Sequence, residues 1–504
     1  MKNSKILSNI YIYKIGYGGV GIGSLPDGKK VLVKGGALPQ STVDIKIVKK
    51  KKDYVEGHII HTHKYNKDLA DGEVFCPHYF IPIGASQENQ NSYKIGCGGC
   101  KRQIMSYTNQ LKLKYEIIKD GFERIKKQIP ELEILPIVGS PLEKGYRNKI
   151  EFSFGVYISE KENIESRWNL GFHKQGEFSK IVDIDSCGLI SEKANEVFQY
   201  IKNFCYNSGL PVFDQKIHQG FFRHLVIREG VNTNQILVNL SVFEDSLKKT
   251  YNDKRNEFLE TLQKDEFLKN NITTFVITYN NGLADTVKSD KSESKTLRGD
   301  GYIYELLVFN ENQPDKTEIT FRVSPFSFFQ TNTFGAQKLF SQAQQMLGFV
   351  KGTILDLYCG TGTIGISLLK NGIGSNLVGI EIVEDAIIDA QHNAKINGLE
   401  DNCFFLASPS EKAFNTNPDL KDKIKDLGAV IVDPPREGLH KNLINFLGEL
   451  KKESDFKLLY ISCNPITMAR DIGLFLENGF KINKLQPVDM FPQTHHIEVI
   501  GILY

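Results

Sequence analysis

The sequence lacks long hydrophobic runs and any strong excess of charge of one sign. Its 504 residues contain no run of about 18 apolar residues, and the first residues form no apolar core of signal-peptide length. The formal net charge is only +2. We therefore expect no membrane-spanning segment and no secretion signal. Any binding of nucleic acid would need a local basic surface rather than the charge of the whole chain.

Cysteine is also scarce, with eight residues in the whole chain. A long chain with few cysteines and no secretion signal does not suit a disulfide framework. We therefore predict a cytoplasmic protein, in which a reducing environment leaves the cysteines to serve as ligands, nucleophiles or core residues. Nothing in the sequence indicates a membrane or another protein as a partner.

The length of the chain predicts roughly three domains, and the residue pattern changes twice along it. Residues 1–63 contain short β-branched runs between glycines and prolines, which predicts an OB-like β-barrel. Residues 64–320 mix helical and strand patterns and predict an α+β domain. Residues 321–504 alternate strand, glycine turn and helix. This alternation predicts a Rossmann-like, doubly wound parallel sheet, so the expected fold class is α/β.

The middle region contains one clear helical stripe and one weakly patterned segment. Residues 284–300 are polar and charged, which predicts an exposed loop or the tip of a long hairpin. An amphipathic helix is predicted over residues 108–128, where apolar residues recur at helical spacing: Leu111, Tyr115, Ile118, Phe122 and Ile125.

A glycine-rich turn follows an apolar strand in segment 356–363. Glycine lets the backbone approach a ligand closely, and Gly360, Gly362 and Gly365 satisfy the dinucleotide fingerprint. Glu381 ends the next strand, 19 residues after Gly362, where a carboxylate can accept hydrogen bonds from both ribose hydroxyls. This pattern predicts a nucleotide-type ligand, and it fits either NAD or S-adenosylmethionine.

The segment Asp433-Pro434-Pro435-Arg436 distinguishes between these two ligands. It follows an apolar run, at the edge where ligands bind in open α/β sheets, and its prolines stiffen the loop. Methyltransferases that act on planar bases commonly carry an acidic residue and two prolines here, whereas hydride transfer has no evident need of them. A rigid turn is the alternative interpretation, and methyl transfer is favoured.

A cysteine and a carboxylate stand at two further strand ends. Cys463 follows an apolar run and precedes Asn464-Pro465, and Glu498 begins the last apolar run. Uracil C5 becomes nucleophilic only after a thiolate adds to C6, and a base must later remove the C5 proton so that β-elimination frees the cysteine. That chemistry needs a thiolate and a carboxylate within reach of one ring. We predict these roles for Cys463 and Glu498, with inert packing as the alternative for the cysteine.

Four other cysteines suit a metal site. Cys97 and Cys100 are separated by two glycines, Cys76 precedes them and Cys187 follows. Four thiolates can hold zinc or an iron–sulfur cluster, and the spacing alone does not distinguish the two. Packing is the expected role of the remaining three, which are Cys205, Cys359 and Cys403.

Together these motifs resemble the RNA uracil-5-methyltransferase family, in particular its 23S rRNA (uracil-5-)-methyltransferases with a TRAM domain. The resemblance covers nearly the whole chain and also includes Ser324-Pro325, residues 328–332 and the ending His496-Ile497-Glu498. It implies a class I methyltransferase domain with Cys463 as nucleophile and Glu498 as base. Thr363 stands where relatives often have asparagine. S-adenosylmethionine would be bound by Gln330, Tyr358, Gly360, Gly362, Thr363, Glu381 and Asp433.

The resemblance also concerns the first two regions. It implies that residues 1–63 are a TRAM domain, which binds RNA, and that residues 145–149 face RNA. It further implies a structural [4Fe–4S] cluster on Cys76, Cys97, Cys100 and Cys187. Twenty residues separate Cys76 from Cys97, where the family usually has five, so residues 82–95 are expected to be an inserted loop.

Three functions follow from these observations. The first is methylation of uridine C5 in 23S rRNA, and the second is the same chemistry on the T-loop uridine of tRNA. The third, suggested by the Gly360–Gly365 spacing and the cysteine set, is an NAD-linked iron–sulfur oxidoreductase. In the first two the accessory domains would bind RNA, and the target base would leave its stack to reach Cys463.

Overall fold

The fold was analysed in a computed structural model, which describes residues 5–79, 96–157, 167–174, 177–244, 251–311, 313 and 316–504. The expected inserted loop, residues 82–95, lies outside these described residues. Within the described part of the chain, no helix is both long enough and apolar enough to cross a membrane.

The N-terminal region forms one six-stranded sheet that curves into a half-barrel, as predicted for an OB-like domain. The strand order is β1-β5-β6-β4-β3-β2, and Ile12, Val33 and Ile45 are fully buried inside it. The strands are β1 (Ile6–Ile12), β2 (Lys14–Gly16), β3 (Val20–Ser24), β4 (Lys30–Lys34), β5 (Ser41–Lys50) and β6 (Tyr54–Lys64).

The predicted amphipathic helix is confirmed as α1 (Tyr107–Gln128), within one residue of its expected start. The Ser106 side chain caps it by accepting a hydrogen bond from the backbone N–H of Asn109. Its apolar residues Ile118 and Phe122 pack in the core of the C-terminal sheet. The next strand, β7 (Glu133–Ile134), is an edge strand of that same sheet.

The central region is a seven-stranded sheet with helices on one face. Its strand order is β10-β9-β8-β11-β12-β13-β14, and Phe152, Phe222 and Ile236 are fully buried beneath the helices. The strands are β8 (Lys149–Tyr157), β9 (Arg167–Lys174), β10 (Glu177–Asp183), β11 (Phe222–Gly230), β12 (Gln235–Val242), β13 (Thr274–Asn280) and β14 (Ser292–Arg298). The helices are α2 (Glu192–Asn207), α3 (Asn252–Lys264) and α4 (Glu266–Asn271).

One expectation for this region was wrong in part. Residues 284–300 were expected to form an exposed loop or a hairpin tip, yet Ser292–Arg298 is strand β14, paired antiparallel with β13. An edge strand pairs on one side only, and the middle of β14 is exposed, so its sequence shows no apolar alternation. Residues 284–291 do form a loop.

The C-terminal region is a doubly wound sheet, as predicted. A hairpin of β15 (Ile303–Phe309) and β16 (Thr317–Val323) precedes it. The main strands are β17 (Thr353–Leu357), β18 (Asn376–Glu381), β19 (Cys403–Ala407), β20 (Leu427–Val432), β21 (Lys457–Ser462), β22 (Ile482–Val488) and β23 (Glu498–Leu503). The helices are α5 (Thr333–Leu347), α6 (Thr363–Lys370), α7 (Glu384–Ile396), α8 (Ala413–Thr416), α9 (Leu420–Lys423), α10 (Lys441–Glu453) and α11 (Pro465–Glu477).

The order of this sheet determines which side chains can meet. It runs β19-β18-β17-β20-β21-β23-β22-β7, and the first five strands are parallel. Their carboxyl ends therefore lie along one edge. Strand β23 is antiparallel to β21, so its amino end lies at that same edge. Residues alternate along each strand between two apolar cores, one on each face of the sheet.

Candidate active site

The glycine loop, residues 358–362, leaves β17 in a left-handed conformation. Tyr358, Gly360 and Gly362 have φ of 67°, 54° and 77° respectively, and Gly362 caps the start of α6. A Cβ atom built on Gly360 would meet no atom within 4 Å. The loop therefore leaves open space directly above the strand end, where a ligand can approach the backbone.

Glu381 lies at the end of the neighbouring strand β18 and contacts this loop. One carboxylate oxygen accepts hydrogen bonds from the backbone N–H groups of Ile382 and Val383, at 2.8 and 3.1 Å. The other oxygen accepts one from Gly360 N–H at 3.2 Å. The carboxylate is thus fixed beside the glycine loop, with lone pairs left to accept hydrogen bonds from a ligand.

Gln330 and Thr363 lie on two sides of the same loop. The hydroxyl of Thr361 donates to the carbonyl of Phe328 at 3.3 Å and lies 3.0 Å from the hydroxyl of Thr363. Gln330 is buried, and its carbonyl accepts a hydrogen bond from the side chain of Asn148 at 2.9 Å. The segment 328–330 is therefore held against the glycine loop.

Two exposed apolar side chains at this edge were not predicted from the sequence as site residues. Phe328 and Ile382 are 62% and 65% exposed, and each adjoins a residue that is fixed against the glycine loop. Exposed apolar side chains beside an open nucleotide pocket suit a flat, apolar ring. The sequence could have indicated both residues, because Phe328 lies in segment 328–332, which carries the family resemblance, and Ile382 directly follows Glu381.

Asp433 follows the end of β20, the next strand along the edge. Burial raises the pKa of its carboxyl group to about 7. Tyr358 lies partly buried on the adjacent strand end, and burial raises the pKa of its hydroxyl to about 12. Both side chains therefore lie in a poorly solvated part of the edge, where charge–charge interactions are strong.

Cys463 and Glu498 lie side by side, although 34 residues separate them in the sequence. Strands β21 and β23 are antiparallel, and their last pair in register is Ser462 with Val499. Cys463 directly follows Ser462 and Glu498 directly precedes Val499, so the two residues lie at the same end of neighbouring strands. Glu498 is close enough that its charge raises the pKa of the Cys463 thiol. A thiol and a carboxyl group are thus neighbours at the ligand-binding edge of the sheet.

The electrostatics of this pair have a common cause. Burial and the nearby charges of Glu498 and Asp433 together raise the pKa of the Cys463 thiol to about 12, against the lowering effect of Arg436. Burial also raises the pKa of Glu498 well above its usual value, and Asp433 adds to the rise. The site therefore favours a neutral thiol and a carboxyl group that readily holds a proton.

One residue at this site comes from the N-terminal barrel. The hydroxyl of Tyr17 donates a hydrogen bond to the backbone carbonyl of Cys463 at 3.4 Å. Tyr17 is partly buried, and burial and the thiol raise its pKa. Sequence reasoning missed this residue, because 446 positions separate the two partners and no motif joins them.

The loop that leads to Glu498, residues 489–497, is held by helix α1. Buried Lys114 forms a 2.8 Å ion pair with buried Asp489 and also donates to the carbonyl of Phe491. The side-chain amides of Gln110 and Gln493 are joined at 2.9 Å. These contacts fix the position from which β23 starts, and sequence reasoning missed them because they join distant segments.

Two histidines in this loop do not supply a base near neutral pH. Burial, His496 and nearby cations together lower the pKa of His495 to about 3. Burial and Arg436 lower the pKa of His496 to about 4. Both rings are therefore neutral and weakly basic under ordinary conditions, which leaves Glu498 as the base closest to Cys463.

The four cysteines of the predicted metal site line one cavity of about 60 Å³. Gly99 N–H donates to the sulfur of Cys97 at 3.3 Å, and the thiol of Cys187 receives backbone hydrogen bonds from Leu189 and Ile190. Among the described residues, no three or more Cys, His, Asp or Glu side chains converge closely enough to hold a single metal ion.

Comparisons with known proteins identify the family to which this chain is similar. The profile of the tRNA (uracil-5-)-methyltransferase family matches residues 106–504, most of the chain. A protein of Caldanaerobacter subterraneus, described as an uncharacterized RNA methyltransferase, is 34% identical over 98% of this chain and 98% of its own. A protein of Chlorobaculum tepidum with the same description is 32% identical over 95% of this chain and 92% of its own.

A solved structure is similar over the whole length. The tRNA (uracil-54, C5)-methyltransferase of Pyrococcus abyssi, in complex with S-adenosyl-L-homocysteine, is 25% identical, with a TM-score of 0.66. The match covers 99% of this chain and 100% of that one. The class I methyltransferase fold and the resemblance to RNA uracil-5-methyltransferases are therefore confirmed. The chain belongs to the tRNA (uracil-5-)-methyltransferase family and is an S-adenosylmethionine-dependent RNA methyltransferase.

Proposed function

We propose that this enzyme methylates C5 of a uridine in RNA through a covalent adduct between Cys463 and C6 of the base. The observation that carries the proposal is the position of Cys463 and Glu498 at the same end of the paired strands β21 and β23, at the ligand-binding edge. A thiol and a carboxyl group so placed can act on adjacent carbons of one pyrimidine ring.

Cys463 and Glu498 carry out different steps of the reaction. The Cys463 thiolate adds to C6, and the resulting enolate is nucleophilic at C5. S-adenosylmethionine, when bound, would supply the methyl group: C5 bonds to the methyl carbon as its bond to the sulfonium sulfur breaks, and S-adenosylhomocysteine is the leaving group. The Glu498 carboxylate then removes the C5 proton, and β-elimination breaks the carbon–sulfur bond and frees the thiolate. Because the surroundings of Glu498 raise its pKa, its carboxylate is a stronger base than an exposed glutamate.

The residues near the glycine loop fit S-adenosylmethionine. Gly360 leaves open space, and Glu381 is fixed with acceptor capacity toward that space. We assign the binding of this cofactor to Gln330, Tyr358, Gly360, Gly362, Thr363, Glu381 and Asp433. The positive charge of the cofactor would also offset the carboxylates that raise the pKa of Cys463.

The RNA substrate is 23S rRNA in this proposal, with tRNA as a second candidate. The 23S rRNA assignment rests on the sequence motifs and on the accessory regions before the methyltransferase sheet. The tRNA candidate is favoured by the structural neighbour, which is a tRNA (uracil-54, C5)-methyltransferase and matches the full length of the chain.

The four cysteines form a [4Fe–4S] site in this proposal, with a structural role. Their sulfurs surround one cavity, and those of Cys97 and Cys187 receive backbone N–H hydrogen bonds, which suit anionic sulfur. The choice of an iron–sulfur cluster over a zinc ion rests on the family resemblance.

Each of the three regions has a part in this function. We assign residues 1–63 to a TRAM domain and residues 64–320 to a central domain, both of which bind RNA, and residues 321–504 to catalysis. Helix α1 and β7 support the catalytic sheet from within the central region. A cytoplasmic location is part of the same proposal, because free thiols persist in a reducing compartment.

A trapping experiment tests the chemistry. RNA that carries 5-fluorouridine should form a stable covalent complex with the wild-type protein, because a fluorine at C5 cannot be removed as a proton. Cys463→Ala should form none, while Cys403→Ala, a matched change of a half-buried cysteine, should still crosslink. Calorimetry should show binding of S-adenosylhomocysteine to all three proteins. A Cys463→Ala variant that crosslinks, or preferential binding of NAD, would contradict the proposal.

A mass-spectrometric map of RNA tests the substrate. A strain that lacks this protein should lose 5-methyluridine from 23S rRNA and retain it in the T-loop of tRNA. The reverse pattern would establish tRNA as the substrate and remove the rRNA assignment. The map does not depend on the mechanism, so the two parts of the proposal can fail separately.

A further inference from the structure

A basic groove of about 380 Å³ lies where the N-terminal barrel, the residues around Cys97 and strand β9 meet. Among the described residues, its lining consists of three lysines, two histidines, five glycines and one valine, without an aspartate or glutamate. The lysines come from three separate parts of the chain, as Lys34, Lys101 and Lys174. A groove with this composition attracts anions.

The cations of the basic groove repel one another. Lys34 and Lys101 both line it, so like charges lie close together. Burial lowers the pKa of His58, and the charge of Lys34 lowers it further. The carboxylate of Glu56 offsets part of this charge through a 2.6 Å ion pair with Lys34. An anion in the groove would relieve the repulsion that remains.

The glycines give a ligand access to the backbone. Gly18 has a φ of 75°, and a Cβ atom there would meet only one atom within 4 Å, at 3.9 Å. Gly35 and Gly36 also have positive φ, at 111° and 81°. A rim without side chains lets a bulky anion such as a phosphodiester lie close to the peptide groups.

The wall of the basic groove is also a wall of the active site. Gly18 and Gly19 line the groove, while the preceding residue, Tyr17, donates to the carbonyl of Cys463. A Cβ atom on Gly19 would lie 3.1 Å from the Cβ of His495 in the loop before Glu498. A chain lying in the groove is therefore separated from the reacting residues by a single turn of the barrel.

We propose that the basic groove binds the phosphodiester backbone of single-stranded RNA beside the target uridine and so delivers that base to Cys463. This inference rests on the proposed function and adds the path of the RNA. Lys34 and Lys101 neutralise phosphates, and the glycine turn lets the strand pass close to the catalytic cysteine.

A salt titration tests this inference. The probe is a fluorescein-labelled single-stranded oligouridylate, and the full-length protein is titrated at several salt concentrations. Each neutralised phosphate of a single strand contributes about −0.7 to the slope of log K against log salt, so Lys34→Gln/Lys101→Gln should flatten the slope by about 1.4. Lys421→Gln/Lys425→Gln, exposed lysines of the C-terminal region with the same change in charge, should leave the slope as it is.

A second variant excludes a loss through misfolding. Glu56→Gln removes the partner of Lys34 without touching a lysine, so RNA binding should tighten and the slope should steepen. Destabilisation cannot tighten binding. A wild-type slope in Lys34→Gln/Lys101→Gln, an equal loss in the control pair, or no gain in Glu56→Gln would overturn the inference.

The 5-fluorouridine adduct separates this inference from the proposed function. If the slope changes as expected but Cys463 forms no adduct, the groove binds RNA and the proposed chemistry fails. If the adduct forms but the slopes are equal, the chemistry stands and the RNA follows another path. Calorimetry with S-adenosylhomocysteine on each variant confirms that the cofactor site is intact.

Discussion

Two regions of this protein hold cysteines whose chemistry differs although their burial is similar. Burial raises the pKa of Cys463 to about 12, and it raises the pKa of Cys97 and of Cys100 to about 12 as well. The neighbours differ. Cys463 faces Glu498, Asp433 and Arg436, whereas Cys97 and Cys100 face other cysteines. If the proposed roles hold, the neighbours of a buried thiol, rather than its burial, separate the nucleophile Cys463 from the ligands Cys97 and Cys100.

The largest expected effect comes from the partner of Cys463. Glu498→Gln keeps the shape of the side chain and removes the base, so turnover should fall by about 10²–10⁴-fold. Adduct formation should persist, because Cys463 is intact. The measurement is the mass of a covalent complex between the variant and ordinary uridine RNA in the presence of S-adenosylmethionine.

A methylated complex should accumulate in Glu498→Gln, since the C5 proton remains in place. The control is Glu437→Gln, an exposed glutamate that follows Arg436, which should turn over normally. Normal turnover by Glu498→Gln would show that another group removes the proton, and the comparison between the two cysteine regions would lose its basis.

The next effect concerns the four-cysteine cavity. Cys97→Ser should abolish iron–sulfur absorbance and lower the free energy of unfolding by about 4 kcal/mol or more, as expected for loss of a structural metal site. Cys205→Ser is the matched control, since Cys205 is fully buried and lies outside the set. Cys205→Ser should lower the free energy of unfolding by about 1–3 kcal/mol, because it buries a hydroxyl group, and its iron content should be unchanged. Equal iron content in both variants would contradict the ligand assignment.

How far the sequence predicted these regions depends on whether a residue lies in a local pattern. Helix α1 was predicted within one residue of its start, and the apolar runs before the glycine turn, Glu381, Asp433 and Cys463 are strands β17, β18, β20 and β21, because these patterns are local. The glycine loop and Glu381 were found together because they end neighbouring parallel strands. The partners Tyr17 and Lys114 were missed, since each contacts a segment more than 300 residues away. Contacts between segments so far apart produce no recognisable residue spacing in the sequence.

A smaller effect is expected from Lys114→Met, which tests whether the loop before Glu498 and the four-cysteine cavity are independent. Lys114→Met removes the partner of buried Asp489 in the loop before Glu498, and it touches neither set of cysteines. We expect a loss of about 3 kcal/mol, because an uncompensated buried charge is costly and protonation of Asp489 limits the cost.

The iron content of Lys114→Met should be unchanged, while turnover should fall because Glu498 is displaced. The control is Lys119→Met on the same helix, whose ion pair with Glu116 is exposed to solvent and adds little to stability. Chemical unfolding and iron analysis of both variants provide the measurement. Loss of iron from Lys114→Met alone would show that the catalytic loop and the cavity are coupled.

The smallest effect is the dependence of Cys463 reactivity on pH. Because its thiol pKa is raised to about 12, the thiolate fraction should rise about tenfold for each pH unit between 7 and 9, without a plateau. His495 and His496 stay neutral in this range, since their pKa values are lowered to about 3 and about 4, so no inflection near pH 6.5 is expected. The measurement is the rate of iodoacetamide alkylation at Cys463, read by peptide mass mapping against Cys463→Ala.

A substitution of Arg436 tests how far nearby charges determine the thiol pKa of Cys463. Its charge lowers the pKa of the Cys463 thiol, so Arg436→Gln should slow alkylation about threefold at a given pH, a small change because the guanidinium is exposed to solvent. Arg470→Gln, a change of an exposed arginine on α11, provides the matched control. A plateau near pH 7 in the wild type would mean that the carboxylates do not act on the sulfur. The thiol would then be activated before any cofactor binds, and the positive charge of S-adenosylmethionine would not be needed to form the thiolate.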